Sequence, residues 1–235
     1  MLIRPIYPYP ALLLDNKNER YIIISDLHIG FEDQYIRKGI TIDTDYIYEV
    51  SNELSKLAKI YNPYAFIILG DLKDSIARIS KREWLLIPEF LESIKSISKV
   101  IIVPGNHDNN IDRLVPNDII ITSAQGLIID DVLLIHGHTI PKNINVKRII
   151  MGHLHPRILM ENNLLNGERV WIFLKIDKSI LDPSATGNIE VAIMPSYNRY
   201  LTSRSKHNNS IAPLLNKINN KILDCLIVRL DGTII

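Results

Sequence analysis

Six of the seven histidines in this chain of 235 residues fall within a set of five short blocks. The blocks are Asp26-Leu27-His28, Gly70-Asp71, Gly105-Asn106-His107-Asp108, His136-Gly137-His138 and Gly152-His153-Leu154-His155. Imidazole, carboxylate and carboxamide donors without a thiolate suit divalent first-row metals of intermediate hardness: manganese, iron, zinc or nickel. One such histidine taken alone reads as an ordinary polar residue at a strand end. Five blocks together point to a metal centre.

Elements must bring these blocks into one place. Short apolar runs bounded by turn residues recur at Ala11 to Leu14, Tyr21 to Ile24, Tyr64 to Leu69, Val100 to Val103, Ile119 to Ile121, Leu127 to Ile129, Val132 to Ile135 and Ile149 to Met151. They read as strands, several buried on both faces. Helical periodicity covers Tyr46 to Tyr61, with Ile47, Val50, Leu54, Leu57 and Ala58 apolar, and Lys81 to Ile97, with Trp84, Leu85, Ile87, Leu91 and Ile94. This alternation predicts a βαβ first half. Asp130-Asp131 between two apolar runs predicts a hairpin, and later runs at Val170 to Ile176, Ile189 to Met194 and Leu226 to Leu230 make the second half strand-rich. The blocks follow apolar runs, and loops at strand C-termini of α/β sheets converge on one crevice. Glycines at 70, 105, 137 and 152 would keep side-chain bulk away from that crevice.

Length fits one α/β domain, residues 1–235, with a mobile polar loop at 197–220 that carries a solvent-exposed His207. A net charge of +1 with 23% charged residues gives no global basic field of the kind that marks a nucleic-acid binder. The single cysteine, Cys225, lies in an apolar run and reads as a small buried core residue, so no intramolecular disulfide framework is expected. The N-terminal segment has no signal-peptide h-region, and no run is long enough to span a bilayer. These features predict a cytoplasmic protein with no membrane partner.

In composition and order the five blocks resemble the calcineurin-like metallophosphoesterases, whose pattern is Asp-x-His, Gly-Asp, Gly-Asn-His-Asp/Glu, a lone His and Gly-His-x-His. The resemblance runs from about Ile22 to Pro156. It implies a metallophosphoesterase fold of two packed mixed β-sheets flanked by helices, a four-layer α/β/β/α sandwich. It also implies two divalent ions, manganese first, then iron, zinc or nickel. Asp26, His28 and His155 would hold one ion, Asn106, His136 and His153 the other, and Asp71 would bridge them. The family mechanism is in-line attack on phosphorus by a metal-activated hydroxide. His107 would act as general acid, with Asp108 hydrogen-bonded to its ring. His138 and Asp74 would support the site or face substrate without binding metal.

Ser25-Asp26-Leu27-His28-Ile29-Gly30-Phe31-Glu32, Arg37-Lys38-Gly39 and Leu69-Gly70-Asp71-Leu72-Lys73 are similar to the SbcD-related phosphoesterases, including the ligase-associated PdeM type. Met194-Pro195-Ser196-Tyr197-Asn198 resembles that group's final active-site loop, although the group commonly has histidine where this chain has Asp74. The resemblance implies a phosphodiesterase or nuclease-like hydrolase, with a nucleotide or nucleic acid among the candidate substrates and a homodimer as an open assembly. A small-metabolite phosphatase or nucleotide pyrophosphatase is the alternative, and a catalytically silent scaffold a third reading. Lys73, Lys142, Lys147 and Arg148 are candidates to cradle a phosphodiester, weighed against the ordinary role of surface cations in solvating a fold.

Overall fold

Twelve strands in the computed structural model, which describes residues 1–42, 45–140, 145–159, 165–180, 184–201 and 222–235, form two six-stranded sheets. The first contains β1 (Leu2–Pro5), β2 (Leu12–Asp15), β3 (Arg20–Ile24), β4 (Ala65–Leu69), β5 (Lys99–Val103) and β6 (Ile120–Ile121), in that order. From β3 to β6 the pairing is parallel; β1, β2 and β3 are antiparallel. Helices α2 (Tyr46–Tyr61) and α3 (Lys81–Lys95) make the crossovers β3 to β4 and β4 to β5, as the alternating pattern predicts. A short α1 (Glu32–Ile36) precedes them.

The second sheet contains β7 (Leu127–Ile129), β8 (Val132–Ile135), β9 (Arg148–Met151), β10 (Val170–Asp177), β11 (Asn188–Ile193) and β12 (Ile222–Arg229), in the spatial order β12-β10-β11-β9-β8-β7. The β7–β8 hairpin turns at Asp130, which adopts φ +52. Both sheets are mixed.

Period-two alternation sorts the strand residues into layers. Ile23, Ile67 and Leu69 from the first sheet share one core with Leu134, Ile150 and Trp171 from the second, so the sheets pack face to face. On the other side of the first sheet, Ile22, Ile24, Phe66 and Ile68 meet Leu54, Leu57, Leu91 and Ile94 of the helices. β4 is therefore buried along its whole length. Leu133, Ile149 and Val191 are buried on the outer face of the second sheet, and among the described residues no α-helix packs on them.

Several expected faces differ. Trp84 and Leu85 are exposed, because the buried stripe of α3 runs Glu83, Ile87, Phe90, Leu91, Ile94 and leaves them outside it. Glu83 faces inward because its carboxylate completes a capping box with Ser80 and also accepts from the backbone N–H groups of Asp74 (3.0 Å) and Ser75 (2.7 Å). Cys225 is exposed rather than buried, since β12 is an edge strand whose first five residues face solvent. Of the loop expected at 197–220, Tyr197 and Asn198 are buried, while residues 202–220, including His207, lie outside the described set, as does Lys142. No helix among the described residues is long and apolar enough to cross a membrane.

Candidate metal centre

The C-terminal ends of β3, β4, β5, β8 and β9 open directly into the five blocks. Parallel pairing within each sheet puts these ends on one edge, and face-to-face packing brings the two edges together. Asp26 is bound from the opposite sheet by the His153 N–H at 3.2 and 3.1 Å to its two carboxylate oxygens. His136, in turn, reaches back from the second sheet through Nδ1, 3.0 Å from the Leu69 carbonyl oxygen.

Tight turns make the approach close. Asp26, His28, Asp71, His153 and His155 all have positive φ, between +45 and +72, a region that favours glycine. A methyl group on Gly70, itself at φ +80, would overlap the His136 ring, and one on Gly152 would overlap Ser25 and Asp26. These glycines are where two sheets need room to share one site.

Three overlapping groups of donor atoms result, each with atoms within 4.8 Å of one another: Asp26, His28 and His155; His28, Asp71 and His107; and Asp71, His136 and His153. His28 links the first to the second, and Asp71 links the second to the third. Asp71 Oδ2 lies 3.4 Å from His28 Nε2 and 3.3 Å from His136 Nε2, so one oxygen stands between the two rings. His153 Nδ1 is 3.1 Å from His136 Nε2, and His155 Nε2 is 3.1 Å from Asp26 Oδ1. His28 Nε2, both ring nitrogens of His155 and Asn106 Oδ1 are buried without a hydrogen-bond partner, the short ion-pair distances being out of line for one. Buried polar atoms are rarely left so. Nitrogen and oxygen donors gathered from several loops and unsatisfied by one another fit divalent cations.

Electrostatics agree. Burial works against a charged imidazole, yet the Asp71 and Asp74 carboxylates outweigh it and raise His28 to about 10; Asp71 and Asp26 likewise raise His136 to about 9. Asp71 is also buried, but the imidazolium neighbours hold it well below the usual carboxylate range, and Asp26 follows the same pattern beside His155. The pocket demands positive charge. A divalent cation would displace the imidazole protons as it binds.

Asp74 stands behind this set. Its carboxylate faces His28 Nδ1 at 3.2 Å and accepts from Gln34 Nε2 at 2.6 Å, while its carbonyl oxygen meets His107 Nδ1. It thus orients two imidazoles at once. His107 is anchored through its backbone N–H to Asp71 Oδ1 at 2.9 Å, with Nε2 3.9 Å from Asp71 Oδ2. His138 sits beside His136, ring centroids 5.4 Å apart, where burial and the His136 charge push it down to about 4.

The expected Asp108 to His107 hydrogen bond is not formed. Asp108 instead accepts from the backbone N–H groups of Leu72 (2.9 Å), Lys73 (3.2 Å) and Gly105 (2.7 Å), tying the Asp71 loop to the Asn106 loop. Burial and the Asp71 charge raise it to about 6. Lys73 is not a surface cation: its side chain is fully buried and donates to the Ser75 carbonyl. Lys147 and Arg148 lie at the start of β9, at the opposite end of that strand from His153, and pair with Asp131 and Glu190. None of these three is placed to cradle substrate.

Residues 194–198 brace the site from outside. Tyr197 N–H donates to the Ser25 carbonyl (2.8 Å), and the Asn198 side chain donates to the Leu27 carbonyl (3.0 Å). Arg169 holds this loop through the carbonyls of Ser196 (2.9 Å) and Tyr197 (2.7 Å). The Met194 to Asn198 motif marks the loop in the sequence, whereas nothing marks Arg169, a cation beside an unremarkable turn.

Residues 19–181, more than half of the chain, match the family model described as calcineurin-like phosphoesterase. The fold is similar to the crystal structure of Pseudomonas putida nuclease MPE, with a TM-score of 0.58 over 98% of both chains at 15% sequence identity. No curated protein sequence matches the chain.

Proposed function

Because the chain belongs to the calcineurin-like phosphoesterase family, we propose that it is a dinuclear-metal phosphodiesterase. The observation that carries this reading is the Asp71 carboxylate shared by two His/Asp clusters. Asp26, His28 and His155 would hold one cation and Asn106, His136 and His153 the other, with Asp71 common to both. The pair of cations supplies charge neutralisation at the phosphoryl oxygens and lowers the pKa of an attacking water. Manganese is the proposed metal; four imidazoles with two carboxylates, one carboxamide and no thiolate suit it together with iron, zinc or nickel.

The chain's own residues do the rest. His107, with Nδ1 directed to the Asp74 carbonyl, presents Nε2 beside Asp71 and in its protonated form can hand that proton to a leaving alkoxide. Asp74 fixes the His28 ring, as a carboxylate behind a ligating histidine does. Asp108 takes a positioning role rather than one in proton transfer. The protein of similar fold is a nuclease, which supports a diester substrate over a monoester.

The test is hydrolysis by the manganese-loaded protein of bis-p-nitrophenyl phosphate, p-nitrophenyl phosphate and single-stranded DNA. Diester turnover that EDTA abolishes is expected. Turnover of the monoester alone would overturn the diester reading.

A further inference from the structure

The edge of the second sheet that carries His153 and His155 continues past them. In the order β12-β10-β11-β9, the end of β9 is two strand spacings from the start of β10, next to Arg169, and three from the end of β12 at Arg229. At about 4.8 Å per spacing these separations are roughly 10 and 14 Å. Arg157, two residues after His155, and Arg199, next to buried Asn198, join them around a cleft of ≈ 400 Å³ with Pro8, from the turn between β1 and β2, at its wall.

The four arginines are not equally paired. Arg229 meets Glu168 at 2.7 Å and Asp231 at 3.1 Å, and Arg199 meets Glu49 at 2.6 Å. Arg157 and Arg169 have no carboxylate within ion-pair distance among the described residues. Arg157 donates to the carbonyls of Gly167 and Arg199, and its Nε is buried without a hydrogen-bond partner. Among the described residues the Arg169 side chain donates only to the two loop carbonyls already described, and Glu53, which acts on it from nearby, is taken by the Tyr197 hydroxyl at 2.7 Å. Burial disfavours both charges, and Arg157 adds repulsion at Arg169. Both residues are partly buried; withdrawing a cation from water without a paired anion is costly, and a planar guanidinium is matched to phosphate oxygens.

We propose that this arginine cleft binds a backbone phosphate of a single-stranded nucleic acid whose scissile phosphodiester lies at the metal centre. The proposal rests on the phosphodiesterase reading above. A lone small diester does not reach from the ligand loops to the cleft, whereas a strand with repeated phosphates does. A net charge of +1 favours a few focused contacts over the broad basic face that a duplex backbone calls for.

Two assays separate the parts. Fluorescence anisotropy with a fluorescein-labelled oligothymidylate in EDTA reads the cleft, and manganese-dependent bis-p-nitrophenyl phosphate hydrolysis reads the metal centre. Arg157→Gln is expected to weaken oligonucleotide binding about tenfold and reduce the salt slope by about 0.7, one single-strand phosphate contact. Arg199→Gln, at an exposed position, weakens binding by less, and Glu168→Gln, which removes a negative charge from the cleft, tightens it. A purely structural role for these residues does not predict that opposite sign. Oligonucleotide binding unchanged in both arginine variants would overturn the proposal, as would diester turnover falling in step with binding in Arg157→Gln. Wild-type protein that binds the oligonucleotide through these arginines yet never hydrolyses the small diester would sink the hydrolase reading and leave the cleft standing.

Discussion

At its start, strand β9 carries Arg148, which meets Glu190 at 2.9 Å and Asp131 at 3.8 Å in contact with solvent. Just past its end, His153 and His155 are buried against Asp26 in left-handed backbone. Charge is present at both ends of the strand and does different work. Exposed pairs at the first end are screened and contribute about 0–1 kcal/mol each. At the second end lie five candidate ligands among the nine non-glycine residues with positive φ in the described residues, each costing on the order of 1–3 kcal/mol in backbone strain. A fold tolerates such an edge only because sandwiched cores such as the wholly buried β4 offset it, and the strain marks where stability yields to function.

Substitutions at the two ends should therefore separate cleanly. His107→Ala has the largest effect expected: turnover of bis-p-nitrophenyl phosphate falls by about 10²-fold or more while metal content, read by elemental analysis, is retained. Unchanged activity would remove His107 from the proton-transfer role. Asp74→Ala comes next, lowering metal affinity or activity by about 10- to 100-fold through a loosened His28 ring, and Asp74→Asn should recover part of the loss. A lower urea-unfolding stability with metal titration and turnover unchanged would make Asp74 merely structural. At the other end, Arg148→Ala should shift stability by about 1 kcal/mol or less in urea unfolding and leave turnover within twofold. A large activity loss there would dissolve the contrast between the two ends.

The strand-then-block pattern was legible because it is local: Ile22 to Ile24 must end where Ser25-Asp26 begins, and parallel sheets collect such ends on one edge. Directions were harder to read. Asp108 stands next to His107 in sequence, yet two backbone N–H groups from the Asp71 loop and one from its own turn, that of Gly105, capture its carboxylate. Adjacent residues diverge where loops cross, and spacing does not encode such crossings. Lys73 looks like a surface cation but is enclosed, and Trp84 follows the helical period yet misses the core by one position of rotation. β1 escaped notice because four residues ending in proline carry no periodic signal; its pairing with β2 is decided by the sheet. Arg157 and Arg169 acquire meaning only when β9, β10 and β12 bring their ends to the same edge as the histidines.

Anomalous diffraction from crystals grown with manganese tests the central claim most directly. Two peaks are predicted, one among Asp26, His28 and His155 and one among Asn106, His136 and His153, with the Asp71 carboxylate between them. A single peak, or peaks away from Asp71, would contradict it.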